Sequence, residues 1–184
     1  MTIDRIHHIF TLKENQMSRK ILFVAQAGVI AALYVVLTVM IATVNLASGA
    51  IQFRVSEALC VLPFFTPAAV PGVIIGCFIS NIVIGSALPD IIFGPLATAI
   101  GAVFSYLLRK NRFLVTLPPV VSNALIIPFV LRYAYHIPDA IPFLMVTVGA
   151  GEILACVVLG SILITALMPV RKLLSPDVFE QKKK

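Results

Sequence analysis

The sequence predicts an all-α integral membrane protein of six transmembrane helices with both termini in the cytoplasm. Three observations carry that reading. Hydrophobic residues make up 60% of the 184 positions and charged residues only 12%, far from the balance of a soluble domain. The mean hydropathy is +1.04. The apolar residues form long unbroken runs, such as residues 21–44, whereas a membrane β-barrel would alternate apolar and polar positions over short segments. A helix needs about 20 residues to cross the hydrocarbon core. The chain therefore accommodates about six crossings and little else: a cytoplasmic segment at 1–20, one membrane domain at 21–170 and a basic cytoplasmic tail at 171–184.

The first span is expected at 21–44. Asp4, His7, His8 and Glu14 precede it, and the run is longer than a signal-peptide core and lacks a clear cleavage site, so this segment reads as retained in the cytoplasm. A weakly polar loop at 45–53 follows. From Ala58 to Pro89 there is no charge at all; one straight helix over that stretch would reach about 48 Å, well beyond a bilayer. The stretch must fold back, and Thr66, Pro67, Pro71 and Gly72 mark the turn, because proline removes a helix donor and restricts the residue before it. Two short spans result, near 54–66 and 71–87. The first is too short for an ordinary crossing, so neighbouring helices must shield it or it must sit partly in the interface. Three more spans follow near 91–108, 113–133 and 140–170, with Pro118, Pro119 and Pro128 bending the fifth.

Placing the N-terminus inside puts Arg5, Lys13, Arg19, Lys20, Arg109, Lys110, Arg112, Arg171, Lys172 and the three lysines 182–184 in the cytoplasm. That is 12 of the 14 basic residues, a strong positive-inside bias. The net charge of +6 is thereby explained by orientation and anionic lipid rather than by nucleic acid. Cys60, Cys77 and Cys156 all lie in apolar stretches without the spacing of a disulfide framework or metal cluster. No phosphate-binding loop, metal-ligand constellation or nucleophile beside a base is present, so neither an enzyme nor a cofactor is expected.

Counting depth from each helix end places Arg54 and Glu57 at the outer start of span two, Asn81 in the outer half of span three and Asp90 at the outer entrance of span four. Asn123 and Glu152 fall near the midplane. The inner halves hold no comparable ionisable group, which describes a pocket open to the outside. Glu152 carries the most weight, because a carboxylate at mid-membrane costs several kcal/mol unless paired or solvated. It lines a site, or it pairs with Arg54 and holds helices together. Arg54 and Glu57, three residues apart, either form a local ion pair or line the mouth. Asp90 either caps its helix or faces a ligand. Asn81 and Asn123 suit ligand recognition or interhelical bonding. Phe53, Phe93 and Tyr133 are aromatic groups able to stack on a flat ligand or to anchor the interface. In span one, Ala27 with Ala31 and Gly28 with Ala32 make two small-residue pairs on adjacent faces, either of which permits close helix contact.

The segment Phe53-Arg54-Val55-Ser56-Glu57-Ala58-Leu59, with Leu62-Pro63-Phe64-Phe65, Pro71-Gly72, Asp90-Ile91-Ile92-Phe93-Gly94-Pro95-Leu96-Ala97-Thr98 and Gly151-Glu152, resembles the QueT family of queuosine-precursor transporters. The resemblance implies a six-helix substrate-binding S-component of an energy-coupling factor importer in a bacterial cell membrane. Its implied partners are a transmembrane coupling subunit and two ATPases. Its implied ligand is a deazaguanine base such as queuine or its aminomethyl precursor. On that basis Glu152 accepts the adjacent N–H donors of the base, Glu57 or Asp90 meets a ligand ammonium, and Asn81 and Asn123 read the remaining edges. Ala27 and Ala31 are the residues carried over for contact with the coupling subunit, with Gly28 and Ala32 as the rival register. Three competing readings stand beside it: a stand-alone proton-coupled carrier using Glu152, a capture module for another vitamin-like heterocycle, and a purely structural membrane subunit.

Overall fold

A computed structural model describes the backbone of residues 3–43 and 54–171 and the side chains of residues 17, 19–43 and 54–171. Phe53, the loop at 45–53 and the lysines at 182–184 lie outside the described residues.

Helix α1 runs Ile3–Ala42 without a break at residue 20, since nothing between the polar and apolar parts of that stretch is a proline or glycine that would stop it. Next comes a 3-10 helix, Val55–Phe64. Helix α2 is Ala69–Val83, α3 is Leu88–Leu107 and α4 is Leu117–Tyr133. The last stretch is α5, Ile141–Glu152, continued by a π-helical segment, Ile153–Leu159, and α6, Gly160–Leu167. The expected turn at 66–72 is present, with α2 starting at Ala69. The prolines at the starts of α3 and α4 stand where the helix has spare N–H groups anyway.

Among the described residues four stretches are long and apolar enough to cross a membrane: Arg19–Ala42, Leu88–Leu107, Leu114–Tyr133 and Ile141–Val170. The other two expected spans are shorter apolar helices, Val55–Phe64 and Ala69–Val83. The 3-10 helix is the centre of the fold. At about 2.0 Å per residue its ten residues reach only about 20 Å, and it is enclosed rather than exposed: Ser56 through Pro63 are all buried. Helices α1, α2, α3 and α6 pack around it together with the π-helical segment. Its apolar residues Leu59, Val61 and Leu62 form one core with Ile30 and Tyr34 of α1, Val73 of α2 and Ile164 of α6. Shielding by neighbours, the first of the two routes open to so short an element, is the one observed.

Glycines set how closely the surrounding helices approach. A methyl group on Gly76 would sit 2.6 Å from Tyr34 Cβ and 3.0 Å from the Ala31 carbonyl oxygen, and one on Gly72 would sit 2.9 Å from the Ala27 carbonyl oxygen. Helix α2 is thus seated directly on the α1 backbone at Ala27 and Ala31. Gly160 approaches the 3-10 helix in the same way: a methyl there would fall 2.6 Å from Val61 Cγ1. By contrast a methyl on Gly28 would meet nothing within 4 Å.

Candidate ligand site

The ionisable residues of the interior gather around the buried 3-10 helix. Glu57, on its first turn, is 1% exposed. Tyr34 of α1 donates its hydroxyl to Glu57 Oε1, and Cys60, one turn further along, lies with Sγ 3.0 Å from Oε2. Glu152 ends α5 where the π-helical segment begins and is 6% exposed. Cys156 Sγ stands 3.4 Å from Glu152 Oε2 and 3.3 Å from the Glu57 carbonyl oxygen. One ligating atom from each of Glu57, Glu152 and Cys156 falls within 4.8 Å of the others. Asn123 of α4 flanks Glu152, and among the described residues its buried Nδ2 makes no hydrogen bond of regular geometry.

Two carboxylates this close in a poorly polarisable interior repel each other strongly. The arrangement suits a cation or a group rich in N–H donors placed between them. The donor set of two carboxylates and a thiol is also one that a divalent cation can use.

A second cluster sits beside the first. Arg54 Nη2 donates to Asp90 Oδ2 at 3.1 Å, with both side chains nearly buried. Tyr135, just beyond α4, donates its hydroxyl to the same oxygen at 3.0 Å and accepts the Ala87 N–H at 3.2 Å. Burial, and next the negative Asp90, hold the Tyr135 phenol above its ordinary pKa, so it remains a donor at neutral pH. Asn81 Nδ2 donates to the Asp90 carbonyl oxygen at 2.9 Å. Among the described residues Asp90 Oδ1 has no partner. The cluster ties the start of the 3-10 helix to the start of α3 and to the connection after α4.

Several expectations change accordingly. Arg54 and Glu57 do not pair: the extended backbone at Arg54 lets its side chain reach Asp90, while Glu57 faces Tyr34. Glu152 is not locked to Arg54, whose hydrogen bond goes to Asp90. Asp90 makes no cap bond to its helix. Asn81 uses its Nδ2 to hold the α3 backbone. Phe93 and Tyr133 are 45% and 69% exposed and line an apolar groove on the outer surface of α3 and α4. Ala27 and Ala31 are buried because α2 occupies that face, so they are not open to a partner subunit. Gly28 and Ala32 are the exposed pair.

Comparison with known proteins agrees with this membrane architecture: the family model of the QueT transporter matches residues 24–169. The chain belongs to the QueT transporter family. A curated protein from Lactococcus lactis subsp. cremoris, named queuosine precursor transporter QueT, is 41% identical over 73 residues, a match covering 40% of this chain and 43% of that protein. No solved structure matches the chain.

In this QueT-family chain, sequence reasoning passed over Tyr34, Cys60 and Cys156. A tyrosine and two cysteines inside apolar runs read as core, and only the packing of α1 and the π-helical segment against the 3-10 helix turns them toward the carboxylates. The π-helical segment after Glu152 was also invisible, although such segments recur at functional sites.

The Arg54–Asp90 pair should be structurally critical. Arg54→Met leaves a buried carboxylate without its cation, and a loss of about 3–5 kcal/mol is expected, read as a lower melting temperature of the detergent-solubilised protein. A melting temperature equal to that of the native chain would show that the pair is not held in the folded protein.

Proposed function

We propose that this chain is the substrate-binding subunit of an energy-coupling factor importer, and that it captures a queuosine precursor, a deazaguanine base such as queuine or its aminomethyl precursor, from outside a bacterial cell. The single observation that carries the reading is the buried Glu152 carboxylate, with Glu57 beside it and the Asn123 amide against it. A deazaguanine offers adjacent N–H donors on its pyrimidinone edge, which one carboxylate accepts together. Glu152 takes that edge. The neighbouring ring carbonyl accepts from Asn123 Nδ2. A ligand ammonium meets Glu57 or the free Oδ1 of Asp90, and Arg54 and Asn81 hold Asp90 in place. Family membership and the relative's name support the substrate class.

On this reading six helices cross the cell membrane with both ends inside, as the distribution of basic residues favours. The chain hydrolyses no ATP. Two ATPase subunits drive transport through a transmembrane coupling subunit. That subunit docks on the α1 face of Gly28 and Ala32, where small exposed residues permit close helix contact.

Calorimetric titration of the purified chain with queuine, its aminomethyl precursor, guanine and riboflavin tests the substrate. Selective deazaguanine binding is expected, weakened about 30–100-fold by Glu152→Gln, since a charge-assisted pair of hydrogen bonds is lost; equal affinity in that variant would remove Glu152 from the site. For the partner, Gly28→Leu should leave deazaguanine affinity unchanged and abolish co-purification with the coupling subunit. Undiminished co-purification would place the docking face elsewhere.

A further inference from the structure

A residue outside the two carboxylate clusters deepens this reading. Thr98 lies on α3, two turns beyond Asp90, and is 1% exposed. A buried threonine in a helix ordinarily turns its hydroxyl back to a carbonyl of the preceding turn. Several buried serine and threonine hydroxyls elsewhere in the helices do so. Thr38 donates to the Tyr34 carbonyl, Ser80 to Cys77, Thr116 to Phe113 and Ser122 to Pro119. Ser105 reaches across to the Val115 carbonyl. Among the described residues Thr98 Oγ1 makes no such bond and no other hydrogen bond of regular geometry. Beside it is the Cys77 thiol, a weak acceptor at best. An orphaned buried hydroxyl calls for an explanation.

Its surroundings supply one. Asp90, Gly94 and Thr98 follow one another at four-residue spacing, so they share a face of α3, and all three are buried. Gly94, in the middle, lets the α2 side chains close in on that face: a methyl there would sit 2.7 Å from Asn81 Nδ2, 3.2 Å from Asp90 Oδ1 and 3.8 Å from Cys77 Sγ. Three buried side-chain atoms lack partners among the described residues, Asp90 Oδ1, Thr98 Oγ1 and Asn123 Nδ2. Two of them share this α3 face, and the third lies against Glu152. Asp90 Oδ1 is an acceptor, Asn123 Nδ2 a donor, and Thr98 Oγ1 either. Thr98 leans on a thiol and Asn123 on the Glu152 carboxylate, and none of the three atoms reaches regular hydrogen-bond geometry within the described residues.

We propose that Thr98 is a ligand-contacting residue, its hydroxyl reserved for a polar ring edge of the flat, nitrogen-rich heterocycle that Glu152 and Asn123 hold. The inference rests on the capture function proposed above. It predicts opposite effects on folding and on binding. Thr98→Val keeps the shape and removes an unsatisfied polar group, so the ligand-free protein should melt at the same temperature or higher. Its affinity for the aminomethyl deazaguanine should fall at least about fivefold, the loss of one hydrogen bond. Thr98→Ser, which keeps the hydroxyl, should stay within about twofold of the native affinity.

Calorimetric titration of the three proteins, with thermal melts of the same samples, separates the possible failures. Native affinity in a well-folded Thr98→Val variant would overturn the role of Thr98 and leave the capture function standing. A Thr98→Val variant that melts lower or fails to fold would overturn it too, since the hydroxyl would then be structural. Absence of binding by the well-folded native chain would remove the capture function and this inference with it.

Discussion

Everything in this fold depends on satisfying charges inside a protein whose surroundings are lipid. Water is not at hand to solvate a carboxylate at membrane depth, so each acidic group must find its partners within the bundle. The 3-10 helix at Val55–Phe64 is the device that accomplishes this. Being too short to cross, it is wrapped by α1, α2, α3 and α6, and its first turn carries Glu57 into the interior, where Tyr34 and Cys60 meet it. Arg54, immediately before it, reaches the start of α3. The close seats at Gly72, Gly76 and Gly160 bring the surrounding backbones near enough for those partners to arrive.

What that construction leaves over is as informative as what it satisfies. Glu57 is well served by internal donors, yet Glu152 stands beside a second carboxylate, and Asn123 Nδ2, Thr98 Oγ1 and Asp90 Oδ1 make no hydrogen bond of regular geometry among the described residues. A core built only for stability would replace such groups by apolar ones at little cost. Retaining acceptors and donors in one region of a membrane protein is the arrangement that a polar, donor-rich ligand completes. The π-helical segment that follows Glu152 belongs to the same picture, because it interrupts the regular ladder directly below the carboxylate.

Much of the fold was legible in the sequence. The unbroken apolar runs marked the helices, the proline cluster around Pro67 and Pro71 marked the turn, and a charge-free stretch too long for one helix showed that a short element had to be enclosed. The depth count brought Glu152, Asn123, Glu57, Arg54 and Asp90 to neighbouring regions, and the structure gathers them around one short helix. Pairing was not legible: three-residue spacing joined Arg54 to Glu57, whereas the extended backbone before the 3-10 helix sends Arg54 to Asp90. Nor was the inward face of α1. Ala27 and Ala31 differ from Gly28 and Ala32 by one position, and only the contact with Gly72 and Gly76 decides which pair is covered. Tyr34 and Thr98 carried no signal of their own, since a tyrosine or threonine in an apolar run reads as packing until its neighbours are known.

The most direct measurement is an experimental structure of the detergent-solubilised chain with the aminomethyl deazaguanine bound. The pyrimidinone edge of the base should lie within hydrogen-bond distance of the Glu152 carboxylate, with Glu57 and Asn123 lining the same compartment. Ligand density at the outer groove of Phe93 and Tyr133, or anywhere that leaves Glu152 untouched, would contradict it.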